Sequence, residues 1–241
     1  MTPLLLGLSF VAIGLAGWCL HARLSMNRLT RQIEAERGEA AARQQQLTRE
    51  VHHRVKNNLQ IVASLLSIHS RAADTPPSRR AFSTIQRRVD ALTIVHRNMA
   101  SSSEAQAGLS LRTLLSELAA VFDGEAAAQG RPPIHLTSVA GRVADDNALP
   151  IAFVVTEIID LIVNHNPAAV IALTVVQSGG DGAATLTIAA ATLCDSAMAE
   201  RLTGGREARI LAGLSRQLAT VIAHDATAGT IALHIPLSAA A

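Results

Sequence analysis

Two apolar stripes of helical period, separated by a pair of prolines, constrain this chain more than any other feature. Val51, Val55, Leu59, Val62 and Leu66 recur every three or four residues, and so do Phe82, Ile85, Val89, Leu92, Val95 and Met99. Pro76 and Pro77, inside the stretch Ala73 to Ser78, interrupt the pattern between them. Two amphipathic helices joined by a short turn form a hairpin. One hairpin has nothing opposite its apolar face. A second copy supplies that face, so the pattern predicts a dimeric four-helix bundle. On the first helix a polar stripe, His53, Asn57 and Gln60, runs beside the apolar one. At about 100° per residue, His53 lies roughly 200° round from Val51 and points away from the seam. A solvent-facing imidazole with an amide one turn along is poor core material and good material for chemistry.

Composition excludes several classes. Hydrophobic residues make up 49% of the 241, yet aromatics are only 2% and tyrosine is absent. Aliphatic side chains must therefore build the core, and base-stacking nucleic-acid modules lack their material. A net charge of +2 gives no global field for nucleic acid either. Cys19 and Cys194 lie in unrelated contexts, which supports neither a metal site nor a disulfide framework.

Residues 1–22 carry no charged side chain, and Leu4 to Leu20 is almost wholly apolar, with Trp18 near its end. That length is near the lower limit for a bilayer span. Arg23, Arg28 and Arg31 follow, which orients the remainder toward the cytoplasm. A cleaved signal peptide is the rival, but a basic start and a small-residue cleavage site are both missing. The expectation is a single-pass anchor in a bacterial inner membrane, with the C-terminal domains cytoplasmic. Residues 23–49, rich in Arg, Glu, Gln and Ala, read as a solvated helical linker.

The hairpin occupies residues 50–101, and Ser101 to Gly108 reads as a linker. Residues 109–241 then mix helices with alternating strands. Helices are expected at Leu109 to Phe122, Pro150 to His165, Ala197 to Leu202 and Ala208 to Ile222. Strands are expected at Ile134 to Val139, Val170 to Val176, Ala184 to Ala190 and Thr230 to Pro236. The fold class is α+β and multidomain: a transmembrane helix, a helical-hairpin bundle and a C-terminal α/β sandwich.

The stretch His53-Arg54-Val55-Lys56-Asn57-Asn58-Leu59-Gln60, followed by Ser64-Leu65-Leu66, resembles the phosphoacceptor helix of the HWE/HRXXN group of bacterial sensor histidine kinases. Arg88 to His96, Leu109 to Leu118 and Leu149 to Glu157 resemble later parts of the same family. The resemblance implies that the hairpin is the dimerisation and phosphoacceptor domain and that the sandwich is an ATPase-type domain. It also implies that His53 is the phosphorylated residue. His52 is the rival, but the family's histidine directly precedes Arg. A neutral imidazole nitrogen is a competent nucleophile near neutral pH. Asn57, one turn on, is placed to position a water or orient the imidazole. Arg54 and Lys56 attract phosphoryl oxygens or an acidic partner surface. Glu50 is placed to accept a hydrogen bond from the ring. For Lys56 and Glu50 a merely solvated charge is the bland alternative.

The sandwich departs from the family at matched positions. Leu161 stands where an asparagine should hold Mg²⁺, and a leucine cannot ligate a hard cation. Ala190 stands where an aspartate should read adenine, and no Asp-x-Gly-x-Gly occurs anywhere. Gly204-Gly205 is a faint remnant of the phosphate loop. The expectation is therefore a histidine phosphotransferase-like member with a degenerate ATP-binding domain. It exchanges phosphoryl groups between His53 and the aspartate of a response-regulator receiver domain, or removes them from it. No cofactor is bound by the chain itself, and Mg²⁺ arrives with the receiver. Two rivals remain: an ATP-dependent histidine kinase with an unfamiliar pocket, and a non-catalytic scaffold for response regulators.

Overall fold

The computed structural model describes residues 54–55, 57–70, 75–101, 108–128, 130–178 and 182–238, together with scattered positions between Trp18 and Val51. The expected membrane span and most of the linker lie outside the described residues. The chain divides into two compact units, residues 1–51 and 52–241. In the first, the described positions, among them Trp18, Arg23, Arg43 and Glu50, are helical and exposed.

The second unit begins with the hairpin. Residues 57–70 are helical (α1), and α2 runs from Pro76 to Ser101. The two prolines that interrupt the helical pattern open α2. The first turn of a helix has no acceptors for its N–H groups, so missing donors there are harmless. Thr75 precedes them, and its Oγ accepts the backbone N–H of Ser78 at 3.3 Å.

After α2 the chain forms a short strand β1 (Leu109–Ser110) and helix α3 (Leu111–Ala128). Strands β2 (His135–Ser138) and β3 (Arg142–Val143) come next, with β1 and β3 pairing as an antiparallel ribbon. Helix α4 spans Asp145–His165. Strands β4 (Ala172–Gln177) and β5 (Ala183–Ala189), a 3-10 turn (Ala191–Cys194) and helices α5 (Ser196–Gly204) and α6 (Arg206–Gln217) follow. Strands β6 (Ile222–Asp225) and β7 (Thr230–Pro236) close the fold. The main sheet has the order β2-β4-β5-β7-β6, parallel between β2 and β4 and antiparallel elsewhere.

Side chains alternate across this sheet as the pleat requires. Leu173, Val175, Leu186, Ile188, Leu233 and Ile235 are buried on one face, while Thr174, Thr185, Thr187 and Ala232 occupy the other. The buried row packs with Leu111, Leu114, Leu115 and Leu118 of α3 and with Ile151, Val155, Ile158 and Ile162 of α4. Ala91, Ile94 and Val95 of α2 belong to the same core. The second helix of the hairpin is thus also a helix of the sandwich.

Two expectations need correction. Helix α4 starts at Asp145, not Pro150. Asp145 and Asp146 favour its first turn through the helix dipole, and Pro150 sits one turn further in. Helix α6 ends at Gln217 instead of reaching Ile222. Ala219 adopts φ 48°, the Ala219 N–H bonds to the Arg216 carbonyl, and the Thr220 N–H bonds to that of Ser215 at 3.1 Å. This is a Schellman stop with alanine in the place usually taken by glycine. The residues beyond it form β6, an edge strand absent from the sequence reading. The segment within α4 that the sequence marks as a buried helix is one: α4 is the one helix among the described residues long and apolar enough to cross a membrane, and 72% of its apolar window is buried as core.

Candidate functional site

The phosphoacceptor stretch lies on and just before α1. His53 and Lys56 lie outside the described residues. Arg54 and Asn57 are helical and exposed, and Glu50, in the first unit, is likewise helical and exposed. One turn separates Arg54 from Asn57, so the helical period brings these two to one side of α1. Val55, Leu59, Ala63 and Leu66 are half-buried. A further stripe escaped the sequence reading: Ile61, Leu65 and Ile68 are 59%, 50% and 60% exposed. Three large aliphatics on one exposed helical face are an uncovered surface of the kind a partner buries. His69 accepts or donates at the Leu65 carbonyl (2.8 Å) and its ring sits 6.1 Å from that of Phe82, so it is a packing residue of the hairpin.

The polar centre of the described structure lies between α2 and α4. Thr84 donates from Oγ1 to Asp160 Oδ2 at 2.8 Å. The Arg87 guanidinium pairs with Asp160 and, at 2.8 Å, with Glu125 of α3; it also lies over the Phe122 ring, 5.5 Å from its centroid. Arg88 grips Glu157 in a two-pronged pair, one prong of which is Nη2 to Oε2 at 2.7 Å. Arg87, Glu157 and Asp160 are all buried. Buried charges persist only when paired, and a planar fork opposite a carboxylate is the geometry that does it best. The hydrogen bond that Arg88 donates to Glu157 holds its guanidinium above its usual range, against the opposing effect of burial. Nearby, burial and the Glu125 charge raise the Asp90 carboxyl.

This centre forms one wall of a cleft of about 350 Å³, lined also by Arg80, Leu161, Asn164, Arg201, Arg206 and Glu207. Burial opposes ionisation of Glu207, but its hydrogen bond from Arg201 (2.8 Å) outweighs that and lowers its carboxyl overall.

Leu161 and Ala190 are 3% and 6% exposed and belong to the continuous apolar core. Around Ala190 the packing is tight. Its N–H bonds to the Gly229 carbonyl at 3.0 Å, and a Cβ on Gly229 would meet its carbonyl oxygen at 2.9 Å. Leu193 and Met198, fully buried, fill the adjoining space. Among the described residues, no group of three His, Cys, Asp or Glu side chains is placed to hold a metal ion.

Arg54 and Asn57 thus lie exposed on one side of a hairpin helix, and the hairpin's other helix is built into the α/β sandwich. Residues 50–122 match the HisKA_2 family model, described as histidine kinase, and that segment is a histidine kinase domain of this HWE-related type. The sensor histidine kinase PdtaS of Mycobacterium tuberculosis is 31% identical over 123 residues, which are 50% of this chain and 24% of that protein. The PdtaS of Mycolicibacterium smegmatis is 29% identical over 117 residues, 48% of this chain and 23% of that one. The chain therefore aligns with about a quarter of the length of these relatives. In fold, it is similar to the histidine kinase domain of the blue-light activated histidine kinase EL346 of Erythrobacter litoralis. There the TM-score is 0.54 at 24% identity, over 78% of this chain and 89% of that one.

Proposed function

We propose that this chain passes phosphoryl groups between His53 and the aspartate of a response-regulator receiver domain, or strips them from it, without using ATP. In the transfer, an imidazole nitrogen of His53 attacks phosphorus as the bond to the aspartyl oxygen breaks, and the receiver aspartate leaves as a carboxylate. Mg²⁺ held by the receiver neutralises the charge on the moving group. Arg54 and Lys56 attract its oxygens, Asn57 orients the ring or a water, and Glu50 is placed to hold the ring's other nitrogen. The reading extends to a homodimer, closed over the exposed face of Ile61, Leu65 and Ile68 on α1. It also includes a single-pass anchor at residues 1–22 in a bacterial inner membrane, with residues 50–101 and 109–241 in the cytoplasm.

The observation that carries this reading is Leu161, a buried aliphatic where the family resemblance implies a metal ligand. Its neighbour Asp160 does not replace it, because that carboxylate is already held by Thr84 and Arg87. The relatives, sensor histidine kinases by name, favour the second reading, an ATP-dependent kinase that autophosphorylates on His53. One experiment separates the two. The chain is incubated with labelled Mg-ATP, and separately with a phosphorylated receiver, alongside His53→Ala. The expected result is no label from ATP, and His53-dependent transfer or faster loss of receiver phosphate. Label on His53 from ATP alone overturns the proposal in favour of the kinase. Loss of neither label nor receiver phosphate, with receiver binding kept, leaves a scaffold.

A further inference from the structure

The two halves of α2 are held by different forces. In the C-terminal half, Ala91, Ile94 and Val95 are buried in the common core, so that half is anchored by apolar packing. In the N-terminal half, Pro77 to Ala81 are exposed and Ile85 is 42% exposed. What ties this half to the sandwich is polar: Thr84 and Arg87 on Asp160, Arg87 on Glu125, and Arg88 on Glu157. Glu157 and Asp160 are one turn apart on α4 and face neighbouring positions of α2, so the two arginine contacts form adjacent rungs. Of these groups, Thr84, Arg88, Glu157 and Asp160 also wall the 350 Å³ cleft, whose far side is formed by residues of α5 and α6.

We propose that Thr84, Arg87 and Arg88 with Asp160 and Glu157 form a polar latch. It closes the N-terminal half of α2 onto the sandwich and, through the contact of His69 with Phe82, holds α1 in place. Release swings α2 about the Asp90–Ala91 region, widens the cleft and loosens α1 while the C-terminal half stays docked. Apolar contacts slide and re-form gradually. A two-rung ion pair in a buried setting is either made or broken, and this gives the element two states. By this device a sandwich that supplies no nucleotide still governs the helix that carries the phosphoacceptor. The latch concerns only the described contacts and does not depend on the direction of phosphoryl flow.

Hydrogen exchange followed by mass spectrometry on the full chain in detergent micelles tests it, with no phosphoryl chemistry in the readout. Arg88→Gln, which leaves the buried Glu157 charge unpaired, is expected to speed exchange of residues 79–89 and 57–70 by about tenfold or more, and Glu157→Gln, which leaves the half-buried Arg88 unpaired, to speed it in the same segments. Residues 91–99 should keep wild-type protection. The charge-swapped pair, Arg88→Glu with Glu157→Arg, should restore protection of 79–89 relative to either reversal alone. Equal loosening of both halves of α2 means general destabilisation and overturns the latch. Unchanged exchange in 79–89 overturns it as well, and loosening of 79–89 without 57–70 overturns the coupling to α1. Circular dichroism on each variant checks that it is folded; should Glu157→Gln not fold, Arg88→Lys, which keeps charge but loses the fork, should give an intermediate rate, and a wild-type rate counts against the latch.

Discussion

Replacing Leu161 by asparagine installs the side chain that the family resemblance implies at that position, and the structure predicts that the protein will suffer for it. Leu161 is 3% exposed within α4 and part of the common core. Removing its burial forfeits about 2–3 kcal/mol of apolar transfer free energy. The new amide stands on the wall of the cleft beside Asn164, Arg201 and Glu207, which offer it polar partners, so the transfer term is the whole expected loss. For a unit of this size about 2–3 kcal/mol lowers the melting midpoint by roughly 5–10 °C. Far-UV circular dichroism is the suitable assay. The chain has no tyrosine and its one tryptophan, Trp18, lies far outside the sandwich in sequence, so intrinsic fluorescence does not report on this core. Mg-ATP should leave the midpoint of wild type and variant alike unmoved, because Ala190 still lacks a carboxylate and Asp160 stays with Thr84 and Arg87. An unchanged midpoint in the variant shows that the site is polar or open. A variant that Mg-ATP stabilises shows that a single side chain separated the sandwich from nucleotide binding. Either result refutes the reasoning.

Gly229→Ala should destabilise the sandwich by about 1–2 kcal/mol from the left-handed backbone alone, since φ is 65°, and by more once its Cβ presses on the Ala190 carbonyl and Cys194 Sγ; thermal melts measure it. Asp90 has its carboxyl raised above the ordinary 3.8 by burial and by Glu125, so its ionisation costs stability as pH rises through that window. Asp90→Asn should therefore be more stable than wild type near neutral pH and equal to it below about pH 3.8 in acid titrations followed by circular dichroism. Leu65→Glu, on the exposed face of α1, should leave the monomer's fold intact but convert a dimer to a monomer in light scattering; a dimer that survives would place the interface elsewhere.

Much of the sandwich is legible in the sequence because its strands alternate cleanly. Ile231, Leu233 and Ile235 mark β7 from end to end, and Leu186 and Ile188 mark β5. Strand β6 is hidden because Leu218 to Ile222 continues the apolar count of α6, and the residue that stops the helix is an alanine at φ 48°. Pro150 reads as a helix start, although the acidic pair Asp145-Asp146 is the stronger signal. The phosphoacceptor stretch is legible because its candidates are local in sequence, all lying between Glu50 and Asn57. The contacts between α2 and α4 are not local. Thr84 and Asp160 are 76 residues apart, and Arg88 and Glu157 are 69 apart. Two arginines inside an apolar stripe and two acids one turn apart in a buried helix each signal a missing partner, but only the fold shows that they satisfy one another.

The apolar character of α4 matters before the protein is folded. During synthesis, a segment of membrane-spanning length leaves the ribosome while the strands β4 to β7 that will cover it do not yet exist. Asp160 alone costs about 2.5–3.5 kcal/mol at a bilayer centre, which opposes its capture by the insertion machinery. The acids that later meet the arginines of α2 thus first keep α4 out of lipid. A chain cut short within the sheet would present this helix to detergent or membrane, and its sedimentation with membranes would report an unfinished core. Charges placed between Leu4 and Leu20 of the full chain distinguish a lipid anchor from that artefact.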